Sequence, residues 1–175
     1  MHNPPPSPSP LAGEGRGEGG SSTASLNKIP PHPNPPPQGG REYVIIVHTL
    51  DHAITALQAA HELHSPITLQ TAPDAISYAG SAYLLAMFAQ ARQACPHAHA
   101  RFVLDCNTTV APAIAAIQSG HQHIRSCAPP EIQAKLADIA AQYGARMLSP
   151  PHEALDLQNV ADTKGACIQW LKRTS

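Results

Sequence analysis

Asp105 and Cys106 follow directly on the apolar run Phe102-Val103-Leu104, and this placement is the chain's clearest opening for chemistry. A buried strand that ends in a carboxylate and a thiol carries both to the rim of a sheet. There an aspartate can move a proton, and a thiolate can attack a carbon or ligate a metal. The competing roles are structural: Asp105 can start the loop and cap the next helix beside Asn107 and Thr108, and Cys106 can be a small buried thiol. His48 and Asp51 follow another apolar run and face the same rim in any parallel α/β arrangement, so they are candidates for the same site, with helix capping the alternative for Asp51. The pairs His97-x-His99 and His121-x-His123 would each project from one side of an extended segment, as metal ligands on a strand do. Eleven histidines in a lightly charged chain make such pairs common by chance, and exposed polar decoration is the expectation for them. His61 and His64, three apart on a helix with no HExxH-type acid, are expected on the surface as well. Neither a P-loop nor a GxGxxG segment occurs, so nucleotide binding has no positive sign.

Residues 43–47 (YVIIV) are apolar on both alternating faces and read as a fully buried strand. Asp51 then caps a helix through residue 64, with Ile54, Leu57 and His61 at helical spacing. Residues 67–70 make a second strand, 74–78 a short helical turn, and Ser81 opens a longer helix striped by Leu84, Met87, Phe88 and Ala91. A third strand covers 102–104. Thr108 or Thr109 starts the next helix, with Ile114 and Ile117 inward and Gly120 just past its end, where a left-handed residue costs least. Residues 121–126 form a weaker fourth strand. Pro130 opens a helix carrying Ile132, Leu136, Ile139 and Tyr143 and stopped by Gly144. Residues 145–148 are a fifth strand, ended by Pro150-Pro151, and 167–171 belong to a last helix. Tyr78 and Tyr83 are expected to seal the second helical layer and Trp170 to anchor the last helix. Five strands alternating with helices imply a parallel sheet with right-handed crossovers. The fold class is therefore α/β, a partial TIM-barrel-like repeat or, alternatively, an open flavodoxin-like doubly wound sheet.

The remaining composition narrows the class. A formal charge of -1 and 13% charged residues offer no basic stripe for nucleic acid and no polybasic membrane face. No apolar run approaches membrane-spanning length, and no basic-then-apolar leader opens the chain; a cytoplasmic location and four free thiols are the expectation. Residues 1–40 hold 11 of the 19 prolines and 7 of the 11 glycines, too little apolar surface to offset the entropy of ordering. Two domains of unlike kind result: a disordered Pro/Gly-rich tail at 1–41 and a folded domain at 42–175. The tail pieces PSPSPLAGEGRGEG and PHPNPPPQGGRE resemble read-through of an interspersed repeat of GC-rich bacterial genomes, with a proline-rich partner ligand as the rival reading.

Ser65, Pro66, Leu69, Gln70, Ala75, Tyr78, Ala79 and Gly80, followed by Phe102 to Cys106 about 25 residues on, carry a family resemblance. The segment from about residue 43 to 148 resembles the first five β/α units of class II, zinc-dependent ketose-bisphosphate aldolases, truncated and degenerate. The resemblance implies a (β/α)8-type scaffold with its chemistry at the C-terminal ends of the strands. It places the family's catalytic aspartate on Asp105 and puts Gln70 among the substrate-contacting positions. It also implies losses: the adjacent zinc histidine falls on Cys106, the earlier one on Val103, the substrate serine on Ala72 and the first-strand asparagine on Ile46. Catalytic zinc takes three protein ligands and an open position, and at most one ligand position survives. The expectation is a domain without independent aldolase activity and without a cofactor, retained for binding a small phosphosugar-like molecule through His48, Asp51, Gln70 and Ser126, or for protein association.

Two other readings compete. A response-regulator receiver also places an aspartate after its third strand; Asp51, Ser126 and Ser149 are the nearest equivalents of its other groups, but the acidic pair and the lysine are missing. A residual metal-dependent aldehyde-lyase would hold zinc through Cys106 and a nearby histidine. Five barrel strands leave two open sheet edges, so homo-oligomerisation or cover by the terminal segments is expected.

Overall fold

The computed structural model describes residues 42–173. Strand β1 (Val44–Val47) leads into α1 (Leu50–Glu62), then β2 (Ile67–Thr71), α2 (Ala75–Ala79), α3 (Ser81–Ala94), β3 (Ala100–Asp105) and α4 (Val110–Gln118). After these come β4 (His123–Arg125), α5 (Pro130–Gln142), β5 (Arg146–Leu148), β6 (Ala154–Asp156) and α6 (Thr163–Leu171). All strand pairs are parallel, in the order β5-β4-β3-β2-β1-β6. The expected strands therefore stand side by side in sequence order. The doubly wound alternative, which needs β1 between β2 and β3, is overturned, and the receiver reading loses its sheet with it.

Crossovers that all step in one direction, each right-handed, put their helices on one face of the sheet. On that face α1 packs between α6 and α3, and α4 lies against α5. Alternate residues Ile45, Val47, Ile67, Leu69, Leu104 and Ile124 join the buried helical layer. Ala53, Ala56, Ala59 and Ala60 are the small inward residues of α1 and let its axis lie close to the strands. The Phe102 and Phe88 rings lie tilted with their centres 4.9 Å apart, and the Arg92 guanidinium lies 4.7 Å above the Phe102 ring.

The structure corrects four expectations. The sheet has six strands, not five: β6, from the C-terminal segment, pairs with β1 and covers that edge. Thr49, not Asp51, caps α1: its Oγ1 accepts from the His52 N–H at 3.1 Å, leaving Asp51 exposed in the first turn. Tyr78 and Tyr83 do not seal the helical layer but lie 72% and 56% exposed, and Tyr143 is also exposed at the end of α5. His121 and His123 are not surface decoration: His121 is buried and its Nε2 stands 3.1 Å from Ser81 Oγ, while His123 is half-buried. The last helix, expected to include 167–171, runs over Thr163–Leu171, and Asp162 caps it by accepting the Gly165 N–H at 2.9 Å.

The connector from β5 to β6, residues 149–153, joins the two ends of the sheet. In a flat sheet five strand spacings would separate them by about 24 Å. Six Cα steps span about 21 Å at most, and the connector must also run back to the opposite end of the strands. The sheet is therefore curled, with its helix-free face inward, as in part of a barrel. Among the described residues all four cysteines are free, and no helix is long and apolar enough to cross a membrane. The tail assigned to 1–41 lies outside the described residues.

Candidate functional site

The inward face is polar where the outward face is apolar. Arg125, last in β4, is 2% exposed, and it is held from three sides. Its Nη2 donates to both carboxylate oxygens of Glu42 at 3.1 and 3.0 Å, its Nε to the Ser149 carbonyl at 2.8 Å, and its Nη1 to Gln70 Oε1. Glu42, just ahead of β1, also accepts from Thr68 Oγ1 at 2.9 Å and pairs with Arg101 at 3.6 Å. An arginine from β4 meeting a carboxylate beside β1 is possible because the sheet curls. Gln70 then relays the contact: its Nε2 donates to Asp105 Oδ2 at 2.7 Å.

Asp105 ends β3 at the C-terminal rim, 8% exposed, with Oδ1 accepting the Asn107 N–H at 2.8 Å. Its own N–H donates to Thr71 Oγ1 at 3.0 Å, and its carbonyl takes the Asp74 N–H at 3.1 Å. Burial raises its pKa; the Asn107 amide and the Arg125 charge pull the other way, and Asp74 adds to the rise. Asn107 and Asp74 both adopt left-handed backbone, at φ 49 and 58, a conformation Asn and Asp tolerate better than most residues. Asp74 Oδ1 accepts from Ser77 Oγ at 2.7 Å and Thr109 Oγ1 at 3.0 Å, tying the loops after β2 and β3 together.

A second cluster stands on the rim at β1 and β6. His48 Nε2 lies 2.7 Å from Asp156 Oδ1, and the His48 N–H points at His52 Nδ1 at 3.4 Å. Burial and the nearby His48 lower the His52 pKa, against the raising influence of Asp51 and Asp156. A histidine oriented by a carboxylate can take or give a proton at its free nitrogen.

The structure thus joins Asp105 with Gln70, and places His48 on the same rim beside a different carboxylate, Asp156. Asp51 is exposed and its side chain has no hydrogen-bond partner among the described residues. Ser126 is buried in its own turn, donating to the Asn107 carbonyl at 3.0 Å and accepting the Ala128 N–H at 3.2 Å. Cys106 points the other way from Asp105, into the helical layer, and burial, reinforced by Asp105 and Asp74, pushes its thiol up to about 12. Among the described residues no group of three or more His, Cys, Asp or Glu side chains is arranged to hold a metal ion. The rim residues therefore do not fit the zinc that the resemblance implies.

Sequence reasoning missed Glu42, Arg125 and Asp156. The alternation His123-Ile124-Arg125 in a strand was a usable sign of a polar inward face; for Glu42 and Asp156 no local sign exists.

No protein-family model matches the chain. No curated protein matches it either. Among solved structures it is similar to a chain from Coccidioides immitis provisionally named a fructose-1,6-biphosphate aldolase, at 20% identity and a TM-score of 0.51. The match covers 62% of this chain and 45% of that one, so the chain spans less than half of its neighbour's length. At that identity the likeness concerns the fold, an α/β arrangement of partial-barrel type.

Proposed function

We propose that this is an aldolase-like domain that binds a small phosphosugar-like carbonyl compound at the C-terminal rim and does not cleave it unaided. The observation that carries the reading is the Asp105 carboxylate at the end of β3, oriented by Gln70 and the Asn107 amide on the rim where barrels of this type hold their ligands. Support for the ligand class comes from the motif resemblance and from the name of the distant structural neighbour. Against cleavage stands the loss of metal ligands that would polarise the carbonyl: among the described residues the implied zinc positions include Val103 and a thiol buried on the far side of β3.

The test is titration of the 15N-labelled protein with fructose 1,6-bisphosphate and dihydroxyacetone phosphate, beside a coupled cleavage assay with and without added zinc. Saturable shifts at Asp105, Cys106, Asn107 and His48, abolished in Asp105→Ala, with no cleavage, are the expected result. Absence of shifts at millimolar ligand removes the binding half of the proposal, and zinc-dependent turnover removes the other half.

A second role, self-association, rests on the two sheet edges. Strands β5 and β6 have three residues each and end the sheet without a partner among the described residues. Light scattering that finds a dimer, weakened by a proline at Met147, supports association through β5.

A further inference from the structure

Basic side chains gather at the end of the sheet that the rim does not use. His123 opens β4, Arg146 opens β5 and Arg101 stands second in β3, so all three sit at the N-terminal ends of their strands. His123 and Arg146 are direct partners across β4 and β5. The pairing of Leu104 with Ile124 sets His123 beside Val103, two residues on from Arg101. Partnered residues of a parallel sheet share a face, so the three side chains leave the same, inward side. Arg92 adds its charge from the helical side, 4.7 Å above the Phe102 ring.

These charges stand unbalanced. Burial, then Arg101, Arg146 and Arg92, push the His123 pKa down to about 4, and no carboxylate acts beside them. Glu42 stands 3.6 Å from Arg101, but both of its oxygens already accept from Arg125, at 3.1 and 3.0 Å. The Arg146 side chain is exposed, and among the described residues its guanidinium has no ion pair or hydrogen bond. Arg101 is 23% exposed and His123 half-buried, so an ion from solvent can reach all three.

We propose that Arg101, His123 and Arg146 together bind one tetrahedral oxyanion of the phosphate class. A guanidinium fork matches two oxygens of such an ion, and two forks beside one imidazole engage several of its oxygens at once. The imidazole also couples the site to a proton. A backbone hydrogen bond at Phe102 raises the His123 pKa, as a carbonyl accepting one ring N–H does. The other ring nitrogen then donates to an oxyanion only when it too is protonated. Binding therefore draws a proton onto His123 and relieves the repulsion among the arginines. The site is separate from the rim, because Asp105 closes β3 at the opposite end.

The experiment is an NMR titration of the full chain with sodium phosphate, sodium sulfate and methyl phosphate, each against sodium chloride at matched ionic strength. Saturable shifts of the His123 ring and the Arg146 Nε–H, not reproduced by chloride, are the expected result. Sulfate, a dianion throughout the titration, should raise the His123 pKa from about 4 by roughly one unit or more. Arg146→Gln and His123→Gln, each checked for an unchanged circular dichroism spectrum, should weaken phosphate binding roughly tenfold for the arginine and less for the histidine. Methyl phosphate binding as well as phosphate assigns the site to monoesters, and phosphate alone assigns it to the free ion; either supports the proposal. Shifts that chloride reproduces, binding unchanged in both variants, or a His123 pKa that sulfate leaves in place overturns it. So do shifts confined to Asp105 and Asn107. The proposal does not rest on the rim reading: Asp105→Ala should leave phosphate binding here intact, so either can fail alone.

Discussion

The two faces of the sheet are built on opposite principles. The helix-covered face is packed with Ile45, Val47, Ile67, Leu69, Leu104 and Ile124, and its cohesion is non-directional: any apolar residue of suitable volume serves. The inward face holds Glu42, Thr68, Gln70, Arg101, Asp105 and Arg125 in a chain of directed contacts. Its members satisfy one another, with the Ser149 carbonyl and the Asn107 N–H completing Arg125 and Asp105. The difference teaches that one face makes the fold and the other positions Asp105 within it.

Removing Arg125 tests that division most severely. Arg125→Ala strips the donors from Gln70 Oε1 and the Ser149 carbonyl and leaves Glu42 with only Arg101 and Thr68, and it should destabilise by about 3–5 kcal/mol in urea unfolding. Leu69→Ala on the other face should cost about 2–5 kcal/mol through a cavity. The discriminating comparison is repair: adding Glu42→Gln to Arg125→Met should recover much of the first loss, because a network removed as a unit leaves no lone charge. If the double variant is no better than the single one, the inward face is not a coupled network.

Next in size are opposite responses to pH on the inward face. Burial raises the pKa of Asp105 in the fold, so its neutral form is favoured there. The stability this confers is complete below the ordinary carboxylate pKa and is lost as pH rises through the raised value. His123 is pushed down to about 4, by burial first and then by Arg101 and Arg146, against a backbone hydrogen bond at Phe102. The unfolded chain therefore binds the extra proton between about 4 and 6.5, and stability is lost as pH falls through that window. Unfolding free energies of His123→Gln should lack that acid-side loss, and those of Asp105→Asn should lack the decline on the rising side. Unchanged slopes in both would show that neither group is held as the inward face requires.

The smallest effect belongs to a helix end. Thr49→Ala removes the oxygen that accepts the His52 N–H and should cost about 1 kcal/mol. The same variant loosens the turn that holds His48 against Asp156, so the His48 side-chain resonances should shift, whereas those of Gln70 on β2 should not.

Much of the scaffold was legible because burial leaves a periodic trace. The run at 43–47, the stripe of Leu84, Met87, Phe88 and Ala91, and the glycines at 120 and 144 (φ +97 and +71) all stand where periodicity and turn chemistry put them. Strand β6 was not legible. Ala154-Leu155-Asp156 is three residues of weak strand preference, and only the free edge of β1 makes a strand of it. Within the site, Asp105 and Gln70 could be found from motif and position. Their anchor could not: Glu42 and Arg125 are 83 residues apart and His48 and Asp156 are 108 apart.

Sequence alone settled the five expected strands, the helices between them and the main apolar stripes, because those depend on near neighbours along the chain; the exposure of Tyr78 and Tyr83, the burial of His121 and strand β6 lay beyond it. Tertiary structure alone decided the strand order, the curl of the sheet, and hence which charges meet across its inner face. Periodicity reports that a side chain faces inward; it carries no information about what stands opposite, and ion pairs and hydrogen bonds act over only a few ångströms.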